Sequence, residues 1–143
     1  MTRSGSASGM PDDSLRLDVL GRTALQRDGV PVAQVLTQPK RLALLTYLAL
    51  AGPGSFQRRD HLLGLFWPTS PSDRARANLR QAIRFLRKAL GDGIVVSRGD
   101  GEVAVGPGML VCDALEFRGA LDRGDLAGAL GRYGGELLPG LFV

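Results

Sequence analysis

RARANLRQAIRFLRKAL, residues 74–90, holds six arginine and lysine residues and no acidic one. Placed on a helical wheel with Leu79 at zero, Ala75, Ile83, Leu86 and Leu90 all fall within about 40° of it. Arg74, Ala77, Gln81, Arg84 and Lys88 fall on the opposite side, with Arg80 and Arg87 on one flank and Asn78 on the other. As a helix, the stretch would bury a narrow apolar stripe and present cations mixed with amide side chains. A merely solvated helix usually alternates Glu with Lys at four-residue spacing, so that ion pairs form along it. Here repulsion between the cations goes uncompensated, as expected where a partner brings the negative charge. A membrane-surface helix would instead carry bulky hydrophobes on a free apolar face. This stripe is narrow and matches apolar stretches just upstream that need covering.

The flanks extend the reading. Ser70 or Ser72 can cap the helix, Pro71 fits its first turn, and Gly91 stops it, giving a third and longest helix over 70–91. Upstream, QPKRLALLTYLALAG (38–52) predicts a helix between Pro39 and Gly52, apolar enough to be central in a core. FQRRDHLLGLFWP (56–68) predicts a shorter helix opened by Asp60 or a neighbour and closed before Pro68, with Leu62, Leu63, Phe66 and Trp67 on its buried side. Downstream, Ile94–Val105 reads as a hairpin of β-branched strands around Gly99-Asp100-Gly101. The tripeptide Arg98-Gly99-Asp100 is read as a coincidence of that turn. At the other end, Leu15, Leu17 and Val19 alternate with Arg16 and Asp18, and Asp28-Gly29 is a favoured tight-turn pair, so residues 15–32 predict a small antiparallel sheet. From Asp113 the pattern changes to two short helices, 113–125 and 126–140, a helical hairpin that cannot bury its own face.

Charge is unevenly divided. Residues 1–57, 58–98 and 99–143 carry formal charges of +2, +6 and −4, a basic middle of the kind that meets a polyanion. The single cysteine, Cys112, excludes an internal disulfide framework and fits a reducing cytoplasm, where it serves as buried filler beside Asp113. His61 is the only histidine, and with no second ligand or base partner it reads as structural or surface. No stretch is long and apolar enough to cross a membrane, the N-terminus has no apolar run, and residues 1–13 read as a disordered tail. An enzyme is disfavoured: there is no metal-ligand cluster, no nucleophile elbow and no phosphate-binding glycine loop, and no cofactor is implied.

A strand sheet, two packed helices, a long basic third helix and a two-stranded hairpin, in that order, describe an α+β winged helix-turn-helix. In that geometry the third helix enters the major groove and the wing lies by the flanking backbone. Arg and Lys can pair with guanine, Asn and Gln with adenine. The sheet region 15–35 has no Phe, Tyr or Trp on which RNA bases could stack, so double-stranded DNA is the expected partner.

The chain resembles the antibiotic regulatory proteins of actinomycetes and related regulators with a bacterial transcriptional activation domain. The resemblance rests on LRLDVLG (15–21), DGVPV (28–32), PKRLALLTYLAL (39–50), RRDHLLGLFWP (58–68), ARANLRQAIRFLRKALG (75–91), VCDALEFRGAL (111–121) and GELLPGL (135–141). It implies an OmpR-type winged helix over 14–108, then the first helical hairpin of a tetratricopeptide-like activation domain over 109–143, shorter than the family's. It implies base reading by Asn78, Gln81 and Arg84 and phosphate contacts from Arg74, Arg80 and Lys88, to which Arg98 on the wing is added. It also implies a cytoplasmic activator binding direct repeats near promoters, a homodimer on DNA, and RNA polymerase subunits as partners. Phe85, at the edge of the wheel, could touch a thymine methyl or pack under the wing, and packing is the expectation. Leu137, Leu138, Leu141 and Phe142 are expected to form an exposed apolar edge. The competing reading is a winged-helix protein-interaction module without specific DNA binding.

Overall fold

A computed structural model describes residues 15–124. The tail at 1–13, the second helix at 126–140 and the apolar edge at 137–142 lie outside the described residues. The described residues form two compact units, one made of residues 15–33 together with residues 110–124, the other of Gln34–Met109.

The first unit is built on a four-stranded sheet. Leu15–Asp18 (β1) pairs antiparallel with Ala24–Arg27 (β2), which pairs antiparallel with Val30–Pro31 (β3). The Asp28-Gly29 turn joins β2 to β3 with φ of 57° and 77°, the two positive values that a type I′ hairpin turn demands. Leu15, Leu17 and Val19 are buried, as the alternation predicts. Asp18 is buried too, because Arg16 Nε at 3.0 Å and Arg22 Nη2 at 3.6 Å hold its carboxylate. On the other edge of β1 lies Leu110–Cys112 (β7), paired in parallel with Leu15 opposite Leu110 and Leu17 opposite Cys112. The residues just after the expected boundary at 108 thus complete the N-terminal sheet before the helix Asp113–Asp122 (α5) begins. Both oxygens of buried Asp113 accept backbone amides of the opposite chain end, Val19 at 2.9 Å and Leu20 at 3.0 Å. Cys112 is a buried free thiol, and burial pushes its pKa up, so it stays protonated filler.

The second unit stacks helices on a smaller sheet. After the short turn Ala33–Leu36 (α1), the helix Pro39–Ala51 (α2) opens with Pro39 and buries Leu42, Leu44, Leu45, Leu48 and Ala49. Thr46 is buried with them and its hydroxyl donates to the Leu42 carbonyl at 2.8 Å, so no orphan polar group is left there. Arg59–Phe66 (α3) follows, then Ser72–Leu90 (α4), a 3-10 turn at Asp92–Ile94, and the hairpin Val95–Arg98 (β5) and Glu102–Val105 (β6). Gln57–Arg58 (β4) adds a third antiparallel strand, Gln57 opposite Val103.

Two local expectations need correction. Ser72 is the first residue of α4 and Pro71 its N-cap, with no side-chain capping bond, so neither Ser70 nor Ser72 acts as the cap. On α3 only Leu62 is fully buried, while Leu63, Phe66 and Trp67 are half-buried and Leu65 is exposed. The aromatic residues instead stack in a surface cluster: Phe66 meets Tyr47 edge-on at 6.1 Å, and Lys40 lies 5.6 Å over Trp67. His61 joins this cluster through a 3.1 Å hydrogen bond between its Nε2 and the Tyr47 hydroxyl.

Candidate nucleic-acid interface

Helix α4 carries the site. Its buried residues are Ala75, Leu79, Ala82, Ile83, Leu86 and Leu90, the stripe read from the sequence plus Ala82. Asp73 in its first turn and Arg87 with Lys88 in its last turn match the signs of the helix dipole. The helix ends at Gly91, whose amide donates to the Arg87 carbonyl at 2.8 Å.

With one face committed to the core, the cations have a defined place. Arg76, Arg80, Arg84 and Lys88 recur every four residues, so they stand in one ridge about 18 Å long. The ridge forms one wall of a groove of about 1040 Å³. Arg58 at the end of β4, Arg59 at the start of α3, and Gly99, Asp100 and Gly101 at the hairpin tip also line it, together with the buried side chains of Leu79 and Ile83. Seven basic and four acidic residues line it. Asp60 pairs within the groove with Arg58 at 3.9 Å, and Glu102 is taken up by Arg98 outside it at 2.8 Å.

Two tethers hold the hairpin against the helices. Arg87, half-buried, donates from Nε to the Val95 carbonyl at 2.9 Å and from Nη2 to the Ser97 hydroxyl at 3.3 Å. The Arg59 amide donates to the Gly101 carbonyl at 2.8 Å. At the hairpin's base the Gly106 amide reaches the Ile94 carbonyl at 3.1 Å, and a β-carbon on Gly106 would collide with the Gly93 carbonyl oxygen.

Of the seven residues singled out in the sequence, Arg80, Arg84 and Lys88 line the groove. Arg74 and Gln81 are exposed and Asn78 half-buried, and these three lie on the part of α4 that does not line it. Arg98 is also outside the groove: its Nε bonds Glu102 and its guanidinium stacks 4.3 Å over Phe56. Phe85 is half-buried and carries the Arg41 guanidinium 4.7 Å over its ring, so it packs against α2 and not under the hairpin. Sequence reasoning missed Arg58, Arg59, Arg76 and Arg87. Arg76 was legible, since it opens the four-residue series that continues through Arg80, Arg84 and Lys88. Arg59 was not, because only the fold brings the start of α3 beside the hairpin tip.

No family model matches the chain, and no curated protein matches it. A solved structure does. Mycobacterium tuberculosis EmbR, in complex with a low-affinity phosphopeptide, matches with a TM-score of 0.63 and 25% identity, over 89% of this chain and 38% of that one. The chain thus has a mixed α+β fold like the EmbR segment it covers, and it spans well under half of EmbR's length. The likeness supports, at the level of the fold, the resemblance to the antibiotic regulatory proteins. Among the described residues no helix is long and apolar enough to cross a membrane.

Proposed function

We propose that this chain is a sequence-specific, double-stranded-DNA-binding transcriptional regulator, an activator that occupies direct repeats near promoters. It acts by binding and performs no chemistry of its own. In this reading α2, α3, α4 and the β5–β6 hairpin are a winged helix-turn-helix, with α4 in the major groove and the hairpin beside the flanking backbone. The observation that carries it is the ridge of Arg76, Arg80, Arg84 and Lys88 on a helix whose other face is spent on the core. A major groove about 12 Å wide admits such a helix and puts phosphates on both its flanks. Arg84, Asn78 and Gln81 are the base readers, and Arg80, Lys88 and Arg74 the phosphate contacts. The family resemblance, to which the EmbR likeness lends support, adds a cytoplasmic setting, side-by-side protomers and RNA polymerase as partner.

The test is selection from a random duplex pool near physiological salt, with an Arg84→Ala, Lys88→Ala double variant alongside. The expected result is enrichment of a short repeated motif that the variant loses. Retention of no duplex would instead favour a protein-interaction module docking an acidic partner in the same groove, where basic residues outnumber acidic ones seven to four.

A further inference from the structure

Met109 sits in a seat made by glycines. A β-carbon on Gly93 would lie 3.2 Å from the Met109 sulfur, one on Gly106 3.3 Å from its Cγ, and one on Gly91 3.6 Å from its Cε. The three glycines come from three places: the end of α4, the 3-10 turn and the residue just after the hairpin. The thioether thus fills space that three absent side chains leave, all within the unit Gln34–Met109. The seat lies at the surface, since Met109 is half-buried while Gly91, Asp92, Pro107 and Gly108 are exposed. The amides of Gly91, Ile94 and Gly106 around it already donate to the carbonyls of Arg87, Gly91 and Ile94. Met109 is also the only methionine among the described residues.

We propose that Met109 is an oxidation site, at which a peroxide weakens the binding of duplex DNA. The inference rests on the DNA-binding reading above and adds a control to it. The Met109 sulfur attacks one oxygen of hydrogen peroxide, an S–O bond forms and the O–O bond breaks. The departing hydroxide takes the remaining proton and leaves as water, so the sulfur is oxidised by two electrons and the peroxide is reduced. The sulfoxide brings a polar acceptor into a seat whose amides at Gly91, Ile94 and Gly106 are already engaged. An acceptor without a donor is unfavourable there, so the side chain leaves the seat and its contacts with all three glycines are lost. Those contacts join the end of α4, three residues beyond Lys88, to the base of the hairpin. Arg87 still holds the strand Val95–Arg98 through Val95 and Ser97, so the result is a graded loss of affinity and not unfolding. Reduction of the sulfoxide restores the thioether and the seat.

The experiment treats the full chain with hydrogen peroxide, maps the added oxygen by peptide mass and titrates the duplex selected above. Wild type is compared with Met109→Leu, which keeps an apolar side chain of similar volume, and with a chain carrying norleucine for every methionine. Treated wild type is expected to carry oxygen on Met109, to bind the duplex about threefold to tenfold more weakly, and to recover with methionine sulfoxide reductase. Both unoxidisable chains keep their affinity through the same treatment, although Cys112 and Trp67 remain in them. In hydrogen exchange without DNA, the Ile94 and Gly106 amides exchange faster after treatment in wild type alone. The proposal is overturned if Met109 takes up no oxygen under conditions that oxidise Met10, or if those two amides exchange unchanged. It is overturned equally if Met109→Leu and the norleucine chain lose affinity as wild type does. If untreated wild type retains no duplex, the DNA-binding reading falls and takes this proposal with it. If it binds and oxidation makes no difference, this proposal alone falls.

Discussion

The two units differ in how fully their cations are paired. Around the β1–β7 sheet, charges close on one another: Arg16 reaches Asp18 at 3.0 Å and Glu116 at 3.2 Å, Arg22 adds to Asp18, and Asp113 is consumed by the Val19 and Leu20 amides. Burial pulls the Arg16 guanidinium down, but its two carboxylates outweigh that and leave it raised. In the second unit Arg58, Arg76 and Arg98 pair with Asp60, Asp73 and Glu102, but Arg80, Arg84 and Lys88 form no ion pair among the described residues, and Arg59 keeps an unsatisfied Nε. Cations that are already paired hold a fold together. Cations lined up at four-residue intervals without acids strain it slightly and gain their return only from an outside anion.

That contrast can be broken by substitutions on each side, beginning with the core. Leu79→Ala removes a fully buried side chain from the stripe of α4 and is expected to cost about 2–5 kcal/mol in denaturant unfolding. DNA binding should fall with it, because the ridge depends on that packing. In the first unit, Asp113→Asn turns one acceptor into a donor facing a backbone N–H, and about 1–3 kcal/mol of stability should go. Duplex affinity measured well below the unfolding transition should not change. A loss of affinity there would show that the paired charges also serve binding.

Smaller effects sharpen the division. Arg84→Ala should cost about 1–3 kcal/mol on the selected motif and relax one base position, with unfolding shifted by less than about 0.5 kcal/mol. Lys88→Ala should weaken all sequences alike and lower the salt slope by about one counterion. Identical effects of both on every sequence would remove the distinction between reader and phosphate contact. Least of all should follow from Arg98→Gln, whose charge is already met by Glu102. The Arg98 hydrogen bond holds the Glu102 carboxyl below its ordinary range, so the pair's contribution is complete above that range and is lost as pH falls below it through the lowered pKa. A strong loss of duplex affinity in Arg98→Gln at neutral pH would show that this arginine leaves Glu102 for a phosphate.

Much of the local structure was legible from residue order. The Asp28-Gly29 turn, the apolar stripe from Ala75 to Leu90 and the Val95–Val105 hairpin each follow from neighbours a few residues apart. What escaped the reading depends on distant partners. Leu110–Cys112 is too short and too uniformly apolar to read as a strand, and becomes one only because β1, far back in the chain, offers a parallel edge. Gln57–Arg58 is a strand only by pairing with Val103 and Glu102. Arg98 looked like a free wing cation, yet Glu102, directly opposite it in the hairpin register, takes up its charge.

The sequence by itself determined which face of α4 is core and which is cationic, because a helical period is a local property of side-chain spacing. Only the tertiary structure decided which cations gather in one groove and which are neutralised. That outcome depends on where β4, the start of α3 and the hairpin tip come to rest, and their positions follow from long-range strand pairing and burial. Electrostatic interaction depends on distance in space and on desolvation, neither of which the order of residues records.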